Sequence, residues 1–371
     1  MDQLEHVASL AGVRKVAAFP DLHPGRYGPV GCAILADRLY PYLIGNDVGC
    51  GMSLFELDIP VRKIRLDKAA HRLRALETPW TGDVDVWLEN AGLALARTGA
   101  DIGAGLGSIG GGNHFCELQG IDVQRSVVGL EAACDDKAFL LVHSGSRNFG
   151  SEIFADFMNS DPASDIGLAE GSTAFQTYLD RHDQAVTWAS LNRTIVAHRA
   201  ARILQADCRL VADAPHNLIE RYEGAYLHRK GAAKADGPLV PLAGSRDSLS
   251  YVLRPTGKAS DALASLSHGA GRKYDRRSMS KRIGSSRSDR ERLTRTSFGG
   301  FVVCEDRQLL LEEAPVAYKN SSQVLDDLVQ ADLVECVATL KPLITFKKAV
   351  QHDDEDEKTR EHTKRRARKG R

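Results

Sequence analysis

The chain has 371 residues, 43% apolar and 26% charged, ordinary globular usage that supports a sizeable buried core. Its 33 glycines and 13 prolines argue against coiled coil, and the overall balance argues against disorder or a collagen-like repeat. Lysine plus arginine and aspartate plus glutamate both number 49, so net charge excludes no class of partner and only its local distribution is informative.

In chain order, apolar segments at residues 15–19, 29–35, 40–44 and 52–57 predict strands, separated by turns at Pro24-Gly25, Gly45-Asn46 and residues 49–51. Helical spacing follows over 61–75 and again over 84–97. A glycine-dense loop, 103–112, opens into a strand over 113–118, and 139–142 predicts a buried strand ending on His143. Residues 174–210 read as one or two long helices, 226–253 return to short strands, and 302–312 predict a hairpin. The stretch 272–295 holds ten lysines and arginines against Asp275, Asp289 and Glu291. It is either a solvated face or a stripe for phosphate contact. Residues 351–371 are acidic, then basic, without apolar residues to pack, and predict a disordered tail. No apolar stretch is long enough to span a bilayer. The first residues lack the basic-then-apolar order of a signal peptide, and the seven cysteines are scattered without paired spacing. The expectation is a soluble cytoplasmic protein with reduced thiols.

The chemical signal lies in His, Asp and Cys residues set among glycines at the ends of apolar segments, where a rigid scaffold can hold ligands. Five segments stand out: Asn46-Asp47-Val48-Gly49-Cys50-Gly51, Gly112-Asn113-His114-Phe115, Val142-His143-Ser144-Gly145, Pro215-His216-Asn217 and Ser267-His268-Gly269-Ala270-Gly271-Arg272. Each alone is weak, since a lone His is commonly structural and a buried Cys commonly a small hydrophobe. Together they point to a shared metal site, for which a Cys/His/Asp set suggests zinc first. The candidates outnumber the positions around one ion. Two metals, or one metal beside a catalytic histidine, both remain open. The loop at 103–112 lacks the Walker Lys-Ser/Thr pair and is not a Rossmann fingerprint, so it reads as a flexible turn. After His268 the small residues admit a ligand closely and Arg272 could clamp a phosphate. His268 itself could be a nucleophile towards phosphorus, with a structural turn as the alternative.

Taken together with Pro20-Asp21-Leu22-His23-Pro24-Gly25, Leu227-His228-Arg229-Lys230-Gly231-Ala232 and Glu312-Glu313-Ala314-Pro315-Val316-Ala317-Tyr318-Lys319, these segments resemble the RtcB family of GTP-dependent RNA ligases over residues 16–347. The resemblance implies an α+β fold of mixed sheets and helices around a deep two-metal cleft, in one catalytic domain over 1–350. It implies joining of RNA 2′,3′-cyclic-phosphate or 3′-phosphate ends to 5′-hydroxyl ends. It also implies two Mn2+ ions rather than zinc, bridged by Cys50, with Asp47 and His114 completing one site and His143 and His216 the other. His268 would take GMP from GTP as the catalytic nucleophile. Asn113, His114, Phe115, Cys116, Glu117, His216, Asn217, Ala243, Gly244, Ser245, Arg246, Ser250, His268, Gly269, Ala270, Gly271 and Lys347 match the family's nucleotide contacts, with Glu117 and Lys347 at the guanine. Arg147 and the 272–295 stretch are candidates for RNA phosphates. The family's usual Pro-Gly reads Ala243-Gly244 here, and Ser245-Arg246-Asp247 is unusual, which bears on base selection. The short chain most resembles the compact bacterial branch coupled to release factor H, which implies repair of tRNA or rRNA, with release factor H or an archease-like activator as a functional partner. Two alternatives use the same residues differently: a manganese-dependent RNA phosphoesterase that opens cyclic phosphates without ligating, and an RNA-binding protein with structural metals.

Overall fold

The computed structural model describes residues 2–90, 105–124, 136–160, 165–284 and 286–349. After α1 (Asp2–Ala8), β1 (Val13–His23) and β2 (Val30–Ala36) pair as a hairpin, and α2 (Pro41–Ile44) leads into β3 (Gly51–Pro60). Helices α3 (Leu66–Arg72) and α4 (Val84–Asn90) precede β4 (Phe115–Gln124) and β5 (Lys137–Ser144). Helix α5 (Asn148–Ser160) and the 32-residue α6 (Thr173–Leu204) follow. The chain continues through β6 (Cys208–Pro215), β7 (Asn217–Tyr222), β8 (Ala225–Lys230), β9 (Ala232–Lys234), β10 (Val240–Leu242), β11 (Ser250–Pro255) and β12 (Ser265–Ser267). Helices α7 (Met279–Ile283) and α8 (Arg287–Arg292), strand β13 (Phe301–Cys304), α9 (Arg307–Glu312), α10 (Ser321–Gln330) and β14 (Val334–Lys348) complete it.

The fold is α+β, as the resemblance implied. The largest sheet runs β10-β11-β14-β4-β5-β3-β6, with β13 added parallel on β14 and the other pairs antiparallel. A second sheet, β1-β2-β8-β7, is antiparallel throughout. In the large sheet β4, β5, β3 and β6 are neighbours. Because adjacent strands run oppositely, the beginnings of β4 and β3 meet the ends of β5 and β6 at one edge. The register fixes this closely: Phe115 pairs with His143, and Gly51 with both Ser144 and Pro215.

Helix α6 lies across the back of this edge and joins two cores. Ala185, Trp188, Leu191 and Ile195 belong to one, with Tyr40, Phe149 and Phe175. Val196, Ala197, Ala200, Ala201 and Leu204 belong to the other, with Phe55, Leu140 and Phe346. Ser172 caps its first turn by accepting from the Phe175 N–H at 3.2 Å. Phe139–Val142 in β5 are buried on both faces, which explains an unbroken apolar run there.

Three expected elements differ. Residues 40–44 form α2 rather than a strand: Pro41 at its start is preset for a helical turn, and the Gly45 N–H closes it on Pro41 O at 3.1 Å. The expected hairpin at 302–312 is β13 followed by α9, because Asp306 accepts the Leu309 N–H at 2.9 Å and starts a helix. The helical spacing at 61–75 becomes α3 between two 3-10 turns. Residues 91–97 of the helix predicted over 84–97, the start of the glycine loop and the tail at 351–371 lie outside the described residues. The six described cysteines are unbridged, and among the described residues no helix is long and apolar enough to cross a membrane.

Candidate metal and nucleotide site

The shared edge of β4, β5, β3 and β6 collects the predicted ligands. Asp47 and Cys50 sit just before β3, His114 just before β4, His143 at the end of β5 and His216 just after β6. Two donor groups result, Asp47–Cys50–His114 and Cys50–His143–His216, each within 4.8 Å, with Cys50 common to both. Cys50 Sγ lies 3.3 Å from His114 Nε2 and 3.1 Å from His143 Nε2. His114 Nε2 is 3.0 Å from Asp47 Oδ2, and His143 Nε2 is 3.3 Å from His216 Nε2.

These donors fit a divalent cation. His114 donates its Nδ1–H to Ile109 O at 3.2 Å and His143 donates its Nδ1–H to Asn113 O at 3.1 Å. That fixes the tautomers and leaves both Nε2 lone pairs facing inward. Burial and neighbouring imidazoles hold His143 and His216 well below the usual imidazole range, so both are neutral at neutral pH, the form in which an imidazole can bind a metal. One thiol proton cannot satisfy so many converging acceptors. Burial and the Asp47 carboxylate push the Cys50 thiol well up, a cost that a bound cation reverses. Close approach is built in at Gly145, where a Cβ would fall 2.0 Å from Asp47 Oδ1.

The centre opens into a cleft of about 1010 Å³ that also reaches His268 and Glu117. His268 Nδ1 lies 2.7 Å from Oδ2 of the fully buried Asp21, and the same oxygen accepts the His268 backbone N–H at 3.2 Å. A buried carboxylate therefore adjoins the Nδ1 side of the ring, without the alignment of a hydrogen bond. The His268 and His216 ring centroids are 4.7 Å apart, so the ring adjoins the metal donors. Gly271 has φ +69°, and a Cβ there would lie 2.3 Å from Asp21 O, so only glycine lets this loop close on β1.

Alternation along β4 turns Phe115, Glu117 and Gln119 one way and Cys116 and Leu118 into the core. Of the expected nucleotide contacts, Cys116 therefore turns its side chain away from the cleft. Glu117 is buried. Its Oε1 accepts from Gln119 Nε2 at 2.6 Å and its Oε2 from Thr345 Oγ1. Burial pushes its carboxyl up to about 7, against these donors and the nearby Lys347 and Arg246. Lys347 donates to His114 O at 3.0 Å. Ser250 Oγ accepts from Gln119 Nε2 at 3.1 Å and from Gly244 N at 3.0 Å. Ala243 bridges to Gly269, and Ala270 N donates to Ala243 O at 3.0 Å, so the Ala243–Ser245 loop is tied to the His268 loop. Arg246 donates to Leu310 O at 2.9 Å, and Ser245 bonds Ser248. The Asn217 amide is engaged in bracing: it donates to Asp47 O at 3.2 Å and accepts from Gly231 N at 2.9 Å.

Several supports were not singled out from the sequence. Asn192 and Arg193, adjacent on α6, are both fully buried. Asn192 accepts from Gly107 N at 2.7 Å and donates to Ser108 O at 2.9 Å and Ser144 Oγ at 3.1 Å. Arg193 donates to Gly49 O at 2.8 Å and Ser144 O at 3.0 Å while pairing with Asp213 at 2.8 Å. This dipeptide thus ties together the segments carrying Cys50, His114 and His143. The available signal was an Asn-Arg pair inside Ala185–Ala197 of α6, a stretch with no other charged or amide side chain. Glu313, 2% exposed, gathers Arg272 at 3.0 Å, Arg276 at 3.3 Å and Lys347 at 3.9 Å. Lys230, at the cleft wall, donates to Ile44 O at 2.5 Å.

The basic stretch at 272–295 is not one uniform stripe. Arg272 and Arg276 are committed to Glu313, Arg287 pairs with Glu291 and Arg292 with Asp289, and Arg282 and Arg295 stack on Tyr274 and Phe301. Lys273, Arg276 and Arg277 line the cleft. Arg147 has φ +57°, bonds Ser108 Oγ at 3.3 Å and packs its guanidinium over Gly110, so it holds the glycine loop.

Comparison with known proteins gives one family pattern, "RtcB: tRNA-splicing ligase RtcB", matching residues 3–84 and 96–348. The chain is similar to the RNA-splicing ligase RtcB2 of Escherichia coli, 40% identical over 94% of this chain and 91% of that protein. It is 28% identical to RNA-splicing ligase RtcB1 of the same organism, over 93% of both chains. It is 25% identical to the tRNA-splicing ligase RtcB of Thermococcus kodakarensis, over 92% of this chain and 90% of that one.

Proposed function

The chain belongs to the RtcB family and is an RNA ligase, and from that premise we propose that it seals 2′,3′-cyclic-phosphate or 3′-phosphate ends to 5′-hydroxyl ends through GMP carried on His268. Broken tRNA or rRNA is the substrate class such ends imply, and residues 1–350 are the catalytic unit. The observation that carries this reading is the single cleft in which His268, the shared-thiolate donor groups and the buried Glu117 meet. The two donor groups would hold two Mn2+ ions, which when bound would neutralise phosphate oxygens as Lewis acids.

The residues themselves would act as follows. Glu117 and Lys347 hold the guanine, which orients the α-phosphorus of GTP towards His268. The Nε2 lone pair attacks that phosphorus, the bond to the β-phosphate breaks and pyrophosphate leaves. Asp21 steadies the ring as it becomes positive. Where the RNA end is a 2′,3′-cyclic phosphate, water adds at phosphorus and the bond to the 2′-oxygen breaks, giving a 3′-phosphate and a 2′-hydroxyl; a 3′-phosphate oxygen then takes GMP from Nε2, which recovers its lone pair. The 5′-hydroxyl attacks the activated 3′-phosphorus, and GMP leaves as the new phosphodiester forms. Splitting the joining this way replaces one difficult displacement by easier ones.

Sealing tests the reading directly. With Mn2+ and GTP, an RNA pair carrying 2′,3′-cyclic phosphate and 5′-hydroxyl is expected to give a joined strand, and a 3′-hydroxyl/5′-phosphate pair none. Opening of the cyclic phosphate without a joined product would instead favour the phosphoesterase.

Guanine binding should depend on pH through Glu117. Its raised carboxyl is protonated below about 7 and ionised above, and only the carboxylate accepts from both guanine N1–H and the exocyclic amine. Guanosine, which lacks phosphates, isolates this pocket from the metal centre. Its affinity is expected to fall roughly ten-fold from pH 8 to pH 6, and Glu117→Gln should bind weakly at both. A pH-independent guanosine affinity by calorimetry would remove Glu117 from base recognition.

A further inference from the structure

The cleft wall is not uniform in chemistry. Around Glu117, hydrogen-bonding groups converge to read the edge of a base. Another part of the wall is the turn at residues 24–28, Val30, Leu43 and Phe154 on α5. There Tyr27 and Phe154 lie with ring centroids 5.0 Å apart at 55°, and the Arg26 guanidinium lies 5.0 Å from the Tyr27 centroid. Asn46 and Ser151, the polar side chains beside them, are turned on each other at 3.5 Å. Aromatic rings and a planar guanidinium make up this part of the wall.

The turn that carries Tyr27 is held in place. Gln3 donates to Gly25 O at 2.8 Å and accepts from Gly25 N at 3.2 Å, closing the turn against α1. A Cβ on Gly25 would fall 2.3 Å from Gly28 O and 2.8 Å from Val30 Cγ2, so the turn is folded tightly on Val30. Val30 and the His268 ring in turn flank Gly231, with Val30 Cγ1 2.4 Å and His268 Cε1 3.1 Å from the position of a Cβ there. The aromatic wall is thus continuous with the nucleophile.

We propose that Tyr27, backed by Phe154 and flanked by Arg26, is the stacking platform for the unpaired base of an RNA terminal nucleotide whose reacting group is presented at His268. The inference rests on the ligase reading. An RNA end must bring its phosphate or hydroxyl to the centre while guanine sits at Glu117, so its base needs a second place. Every base has a π-face, and stacking on aromatic rings is sequence-tolerant, whereas edge contacts discriminate. A ligase that joins ends of unrelated sequence needs the first kind of contact. The Arg26 guanidinium, which lies over the Tyr27 ring, adds a planar cation on which a base can itself stack and which can meet the backbone phosphate of the same nucleotide.

The test is steady-state sealing with RNA pairs whose terminal nucleotide is intact or abasic, at the 3′-phosphate end or at the 5′-hydroxyl end. It is run on the wild type, Tyr27→Ala and Tyr27→Phe. GMP-adduct yield, which needs no RNA, is read in parallel and reports folding. In the wild type an abasic nucleotide at one end should raise KM roughly 5- to 100-fold, the range of base–aromatic stacking, and the end that responds identifies whose base is held. Tyr27→Ala should show that rise with intact RNA and none further with abasic RNA, while Tyr27→Phe should behave as wild type. Unchanged discrimination in Tyr27→Ala, or equal handling of intact and abasic RNA at both ends by the wild type, overturns the platform. Absence of a GMP adduct on the wild type overturns the ligase reading, and the platform with it.

Discussion

Intact mass spectrometry after incubation with GTP and MnCl2 is expected to show one added GMP on the wild type and none on His268→Ala. The expectation follows from what surrounds the ring. Asp21 lies 2.7 Å from Nδ1 and takes the backbone N–H of the same residue, so a buried carboxylate adjoins one side of the imidazole. Among the described histidines at the cleft, His268 is the one whose Nδ1 lies against a carboxylate: the Nδ1 atoms of His23, His114 and His143 turn to backbone carbonyls, and that of His216 has no partner. The adduct should be lost in acid, as a phosphoramidate is. Asp21→Asn separates orientation from nucleophilicity. An amide can hold the wrong tautomer, so adduct formation should slow by ~10²–10⁴-fold without vanishing. An adduct persisting on His268→Ala would move the nucleophile elsewhere, and its absence from the wild type with metal content confirmed would shift the assignment to a phosphoesterase.

The second large effect is expected at Cys50. One sulfur belongs to both donor groups, so Cys50→Ala should remove both bound Mn2+ ions, whereas Asp47→Ala or His216→Ala should weaken one site and spare the other. The loss in affinity should exceed the 10- to 100-fold typical of disturbing only a ligand's support, because the substitution deletes a thiolate outright. Metal content after equilibrium dialysis measures this, and a thermal melt of the metal-free chains shows that the variants fold. Retention of both ions by Cys50→Ala would mean that the bridge is not a shared ligand. Arg193 gives the same centre its frame: it is fully buried, and breaking a buried ion pair by removing one partner leaves the other uncompensated. For that reason Cys50, which supports no such pair, is the cleaner place to test the metals.

Much of the candidate site was legible before any coordinates. Asp47, Cys50, His114, His143, His216 and His268 each stand in a short string of glycines and small residues, and the chemistry of a ligand or nucleophile is local to its side chain. The departures were legible too: Ser245-Arg246-Asp247 is unusual as a string, and the structure places Arg246 in the lining of the cleft that holds Glu117. Short elements were misread where one residue decides them, as Pro41 and Asp306 do in starting helices on apolar segments that pattern alone assigns to strands.

Residue identity therefore marked the candidate donors and the candidate nucleophile, since these properties travel with the side chain, and the family resemblance added the expectation of two ions. Only the tertiary structure decided that Cys50 lies between two groups, that α6 reaches in with Asn192 and Arg193 to hold three loops, and that Tyr27 faces the same cleft as Glu117. The physical reason is that strand order and register arise from long-range pairing. Oppositely directed neighbours bring the beginnings of β3 and β4 to the ends of β5 and β6, and no window of sequence around any one ligand contains its partners.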